Sequence, residues 1–280
     1  MVSHGHSVSR KKLRFETRVT IPDYPTLFWI SAILALLLVG IGKAGFGGGV
    51  GLVATPLMAL TIPVADAAAL LLPLLIIMDM FSIYHYYGEY DRTSIRLLLP
   101  AAIVGIAIGG LFFGYFSHNE RIMRVGIGVV ALLFVLYQLG KAVIVGALTG
   151  SRPPAWLGML LGGMAGFTST LAHAGGPPVA IYLIPQRLPR QTFVGTTVVL
   201  FTLINLIKLI PYGYLGLLRV GNLTTILILA PICFLGVRLG IFLNGKVNET
   251  WFNRVVYTLL FLTGLELVSG QSLLGLLQNF

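Results

Sequence analysis

Between Gly40 and Gly51 the chain reads Gly-Ile-Gly-Lys-Ala-Gly-Phe-Gly-Gly-Gly-Val-Gly, seven glycines in twelve residues, and Pro56 closes the stretch. Apolar sequence runs into it and out of it. Glycine adopts backbone conformations that other residues resist and lets other groups approach closely. In hydrocarbon, an interrupted backbone survives only when protein buries it or when it lines a watery cavity. The stretch therefore reads as helix, break, helix at membrane depth, and as the first place to look for a substrate site. The blander alternative is that these glycines serve only close helix packing.

Composition sets the solvent. Of 280 residues, 56% are hydrophobic and only 10% are charged, against about 25% charged in soluble domains. The expectation is an all-α, polytopic integral membrane protein in a lipid bilayer. The net charge of +10 lies in short segments between apolar runs. No basic stripe with interleaved aromatics is visible, so nucleic acid is not an expected partner. Cys233 stands alone in an apolar run and reads as a small buried hydrophobe. Residues 1–24 form a polar tail with Arg10, Lys11, Lys12, Arg14 and Arg18 against Glu16 and Asp23. The tail does not look like a removed signal peptide. A basic flank before the first span favours a cytoplasmic N-terminus. His4 and His6 read as part of a disordered tail rather than a metal pair.

The apolar segments fall into two similar sets. One begins near Pro25 and extends to about residue 150; the other covers 151–280. The first set runs Pro25 to Gly42, then a short piece from Gly47 to Leu60. Whether that pair makes two crossings or a hairpin that returns to its own side is left open. Val64 to Tyr86, Ile95 to Phe116 and Ile122 to Gly140 follow, with Ser151 to Pro154 as a break. In the second set, Thr168 to Pro178 is a polar, broken joint, followed by spans at Gln191 to Ile210, Gly221 to Leu243 and Asn253 to Val268. Pro100, Gly105 and Gly109 recur at one offset as Pro231, Gly236 and Gly240, and Asn119-Glu120 recurs as Asn248-Glu249. Two homologous repeats, each with a broken helix, fit a secondary transporter with its site at the repeat interface. An odd number of crossings per repeat would set the halves facing opposite ways, and the loop charges do not decide this.

Ionisable groups inside apolar spans are costly and often functional. Lys43, beside the first glycine cluster, suits an anion, with help from backbone N–H groups at Gly45, Gly47, Gly48 and Gly49. Its bland alternative is a lysine reaching the headgroups. Ser169, Thr170 and His173, beside Gly175 and Gly176, form the matching candidate site in the second repeat. The hydroxyls there would bind an oxyanion or else satisfy freed carbonyls, and His173 would bind or carry a proton. Asp79 and Asn205 sit at similar depth in matching spans, with Lys208 one turn past Asn205. These three are candidate coupling residues, and an Asp79–Lys208 lock is the alternative. Asp66 reads as a helix-cap or interface residue. Tyr84, Tyr86, Tyr87, Tyr212 and Tyr214 read as an interfacial belt.

Enzyme chemistry finds no footing. The glycine run lacks the strand context and the downstream acid of a dinucleotide fingerprint, and no Lys-Ser/Thr pair closes it as a P-loop. No nucleophile elbow, zinc-protease helix motif or Cys/His ligand set appears, and no cofactor or metal is expected. Asp66, Asp79 and His173 are too few and scattered to argue strongly for a metal cargo.

Gly45-Phe46-Gly47-Gly48-Gly49 through Pro56, and Gly166 through Ala174-Gly175-Gly176-Pro177-Pro178 to Tyr182-Leu183, resemble the TauE/SafE sulfite-exporter-like permeases. The likeness covers about Leu27 to Gly270. It implies a bacterial or archaeal inner-membrane permease with about eight transmembrane helices, acting on sulfur anions such as sulfite or sulfoacetate, with coupling to protons. Export is favoured only by this analogy. A channel-like or structural membrane protein, or a transporter of a metal cation, is the alternative. Oligomeric state is not legible.

Overall fold

The structure is a computed structural model and describes residues 24–46, 51–148, 152–218, 223–244, 246 and 249–271. The regular structure of these residues is helical throughout. The first half holds α1 (Thr26–Phe46), a 3₁₀ turn at Gly51–Val53 leading into α2 (Ala54–Ala59), α3 (Val64–His85), α4 (Arg92–Phe116) and α5 (Glu120–Leu148). The second holds α6 (Ala155–Ala172), α7 (Gly176–Leu183) with a 3₁₀ turn at Ile184–Gln186, α8 (Arg190–Tyr214), α9 (Leu223–Leu243) and α10 (Glu249–Ser269). Eight of these helices are long and apolar enough to cross a membrane. The short α2 and α7 are the broken pieces that the glycine-rich joints foretell. The break itself sits later than the sequence suggests, because α1 continues through Gly40, Gly42 and Gly45 to Phe46.

Local chemistry sets the helix ends. Asp91 caps α4, its Oδ2 accepting from the Ser94 N–H at 2.8 Å. Asp66 lies in the first turn of α3, where a carboxylate complements the helix dipole. The Val64 N–H of that same turn donates to Glu120 Oε1 at 3.1 Å, so the start of α5 helps to cap α3. Pro154 precedes α6 in extended conformation and marks the expected break.

The halves pack with a two-fold logic. α1 lies along α9 and α6 along α4; α3 meets α9 and α8 meets α4; α5 pairs with α10 and α3 with α8. Exchanging each helix of one half for its counterpart in the other reproduces this set of contacts. The recurring glycines occupy the matching seams. A Cβ on Gly40 would stand 2.8 Å from the backbone of Gly236, and one on Gly45 would stand 2.7 Å from the Gly240 carbonyl oxygen. A Cβ on Gly109 would come within 3.0 Å of Thr170 on α6, and Gly105 backs onto the Gly163 carbonyl. Glycine here lets helices approach closely, since no hydrophobic drive separates helix from lipid.

Side-chain contacts also fix the direction of each passage. Call the end where α1 begins proximal. Thr61, after α2, lies against Ser31 near the start of α1 (Oγ–Oγ1 3.4 Å), so the chain has returned to the proximal side. Tyr86, after α3, reaches Ala44 near the end of α1, so α3 runs alongside α1. In the second half, Gln186 after α7 returns to Arg152 ahead of α6, at 3.2 Å. Each half therefore makes five passages, four full and one interrupted, and the halves face opposite ways. α4 and α6 run parallel, as do α1 and α9: Gly162, Gly166 and Gly109 meet Leu98, Ala102 and Thr170 in order.

Two tyrosines depart from the belt expected for them. Tyr84, Tyr87 and Tyr214 are exposed, but Tyr86 and Tyr212 are buried. Tyr86 donates to the Ala44 carbonyl at 2.6 Å and accepts from Asn244 Nδ2 at 2.9 Å. A buried phenol needs such partners for its hydroxyl, and an apolar stretch of sequence does not reveal that they exist.

Candidate functional site

The two interrupted joints meet. The Thr55 hydroxyl, just after the first joint, donates to the Ala172 carbonyl at 2.8 Å, at the second. Gly51 approaches the backbone oxygen of His173. Gly47, Gly48 and Gly49 fall outside the described residues. Between the joints lies a hollow of about 30 Å³, lined by Lys43, Gly51, Ser169, His173, Gly176 and Asn205 together with Val39, Leu75 and Phe201. That volume suits a water molecule or two. The site is largely shut off from solvent: Lys43 is 6% exposed and His173 7%.

Two polar clusters form its walls. In the first, Lys43 Nζ on α1 is ion-paired with Asp79 Oδ1 on α3. Asn205 Nδ2 on α8 donates to the other carboxylate oxygen at 2.7 Å. Asp79 and Asn205 are 126 residues apart, the same spacing that separates Lys43 from Ser169. The repeats thus contribute charged groups at two positions and neutral ones at the equivalents. Lys43 does not reach the headgroups, and the expected alternative of an Asp79–Lys208 lock is absent, because Lys43 takes the carboxylate.

Lys208 forms the second cluster. Its Nζ lies 2.8 Å from the Ser169 carbonyl, 3.1 Å from Ser169 Oγ and 2.7 Å from His173 Nδ1. Three acceptors match the three protons of an ammonium. The Ser169 carbonyl belongs to the last turn of α6, where the helix dipole favours a cation. His173 ends that helix in the left-handed region at φ 53°, a conformation uncommon outside glycine. Its N–H bonds the Ser169 carbonyl at 3.0 Å. The turn aims the ring so that Nε2 lies 3.0 Å from the Ala68 carbonyl of α3. A carbonyl can only accept, so Nε2 carries the proton and Nδ1 is left as the acceptor for Lys208.

Other candidates fall around this centre rather than in it. Thr170 turns its hydroxyl back to the Gly166 carbonyl at 2.8 Å. Gly45 lies on the α1–α9 seam, and Gly175 packs against Ala165 and Phe201. Gly176 lines the hollow, but Pro177 and Pro178 carry no N–H, so the start of α7 offers few donors. Two participants escape the sequence reading. Thr55 ties the joints together, and Tyr212 donates to the Thr170 carbonyl at 2.8 Å. Tyr212 stands one helical turn past Lys208, a spacing that places both on one face.

At the distal end Arg152 Nη2 donates to Asp91 Oδ2 at 3.0 Å, joining the two repeats. Burial pushes the Asp91 carboxyl up, but the Ser94 hydrogen bonds and the Arg152 charge outweigh it and hold the group below the usual carboxylate range.

Counted together, the buried centre holds two lysines against one carboxylate. With His173 neutral, protonation of both lysines leaves one positive charge inside a low-dielectric bundle, where an uncompensated charge is costly. A buried hollow at the meeting of two inverted broken repeats, with two lysines against one carboxylate, fits a multi-pass membrane transporter of small anions. The chain belongs to the sulfite exporter TauE/SafE family, whose model matches residues 32–267. It is a family of transporters, not enzymes, and among the described residues no group of three or more His, Cys, Asp or Glu is placed to hold a metal. No curated protein and no solved structure matches the chain.

Proposed function

We propose that this chain is a permease of the cell inner membrane that moves a small sulfur-bearing anion, sulfite or an organosulfonate, through the hollow between its repeats. The observation that carries this is the burial of two lysines, Lys43 and Lys208, with the single carboxylate of Asp79. Lys43, Ser169, His173, Asn205 and Gly176 line the bound anion. Residues 25–150 and 151–280 act as the two moving units, and alternating access is rocking of one against the other around the site. The hollow is too small for the cargo in its closed form, so entry requires that motion. The basic tail at residues 1–24 favours a cytoplasmic N-terminus. A proton accompanies the cycle.

The test is uptake into proteoliposomes of sulfite, sulfate, thiosulfate, sulfoacetate and a divalent metal, each with and without a pH gradient. Sulfite or sulfoacetate flux is expected, falling at least tenfold in Lys208→Gln. Metal flux in the absence of any anion flux would overturn the proposal.

A further inference from the structure

Resting on that reading, we propose that the coupled proton is held between Lys208 and His173, not on Asp79, and that it binds together with the anion. The argument is one of donors and acceptors. His173 Nε2 faces the Ala68 carbonyl at 3.0 Å and must keep its proton to bond there. That leaves Nδ1, 2.7 Å from Lys208 Nζ, as the one ring atom that can gain a proton. Two arrangements satisfy this contact: an ammonium donating to a neutral imidazole, or an imidazolium donating to a neutral amine. Each has one proton between the two nitrogens. A second proton would set two N–H donors head to head at hydrogen-bond distance. Without the proton, both groups are neutral. The pair therefore gains and loses a single positive charge while its geometry stays fixed.

Asp79 is held differently. Both its oxygens are engaged, one by Lys43 and the other by Asn205 at 2.7 Å. Protonating it would leave Lys43 buried without its counter-charge, a state that costs more than it gains. The groups facing the Lys208–His173 pair are Ser169 on α6 and Tyr212 on α8, whose ring centroid lies 6.0 Å from Lys208 Nζ and 6.4 Å from the imidazole. Lys43 on α1 and Asp79 on α3 act on Lys208 through space. Lys43 and Asp79 cancel, so the protonated pair is the source of the surplus charge. An anion in the hollow compensates that charge, and once the anion leaves, the bare cation is disfavoured and the proton leaves too. Binding of either therefore favours binding of the other, and anion and proton occupy the site together.

The experiment is calorimetry of sulfoacetate binding to the purified full-length protein from about pH 6 to pH 9, where both acid groups of the ligand stay ionised. Two buffers of different ionisation heat give the protons taken up per anion. Wild type is expected to take up no protons at the acid end and to approach one at the alkaline end, with affinity falling up to about tenfold per pH unit there. In the double variant Lys208→Gln with His173→Gln the uptake disappears, and in Asp79→Asn it persists. Undiminished uptake in the double variant, or its loss in Asp79→Asn alone, overturns the assignment. As a check that needs no variant to bind, ¹⁵N-histidine spectra of wild type should show His173 protonated at Nε2 with Nδ1 hydrogen-bonded. The Nδ1–H tautomer would overturn the proposal. No binding of sulfoacetate or sulfite to wild type would sink the transport reading and this proposal together.

Discussion

Lys43 and Asp79 illustrate how far single residues could be read. Their presence inside apolar spans is visible in the sequence, because charges there are rare. Their partnership is not, since 36 positions and two chain reversals separate them. Removing one partner leaves the other charged and buried, which costs about 3–5 kcal/mol. Lys43→Met is therefore expected to lower the unfolding temperature in detergent markedly, and Lys43→Met with Asp79→Asn to recover most of the loss. If the double variant is no more stable than the single, the ion pair is not what holds these helices together. Asp91 carries a pH dependence of opposite origin. Its folded-state pKa lies below the ordinary value, so its stabilisation is complete above about pH 4 and is lost as the pH falls through the folded value. Stability measured from pH 6 down to pH 3 should fall less in Asp91→Asn than in wild type. At pH 6, Asp91→Asn should be weaker by about 1 kcal/mol, through the loss of the Arg152 charge pair and a weaker bond to Ser94.

At the scale of helices, the recurrence of Pro100, Gly105 and Gly109 as Pro231, Gly236 and Gly240 told of duplicated helices and close seams. It did not say which helices meet, because partners are set by three-dimensional packing. The seams prove to be α4 with α6 and α1 with α9. A Cβ on Gly240 would stand 2.7 Å from the Ile41 carbonyl oxygen, and backbone cannot yield as a flexible side chain can. Gly240→Val is expected to destabilise by about 1–3 kcal/mol. Gly126, where an added Cβ meets nothing, should tolerate the same change. Equal thermal stability of the two variants would show that the seam is looser than described. The end of α1 was placed too early in the sequence reading because three glycines look like a break. Neighbouring α9 needs Gly40 and Gly45 small, and the helix continues through them.

Across the whole molecule, what the sequence left open was the number of passages. The short α2 and α7 carry too few residues to declare themselves as crossings. Only contacts such as Thr61 with Ser31 and Gln186 with Arg152 show that the chain returns. Five passages per half make a specific pattern for single cysteines placed in a Cys233→Ala background. Tyr87→Cys and Lys246→Cys should label from one side of the membrane, and His118→Cys and Leu218→Cys from the other. Without the two interrupted passages, Tyr87 would instead group with Leu218, and His118 with Lys246. The inverted halves bring Lys43, Asp79, Ser169, His173, Asn205 and Lys208 to one buried centre, two lysines against one carboxylate. The most direct measurement is the anomalous diffraction of selenate or selenite, heavier analogues of sulfate and sulfite, in crystals of this protein. The account predicts a selenium peak among Lys43, Ser169 and His173. Peaks confined to surface arginines such as Arg96, with the centre empty at saturating anion, would contradict it.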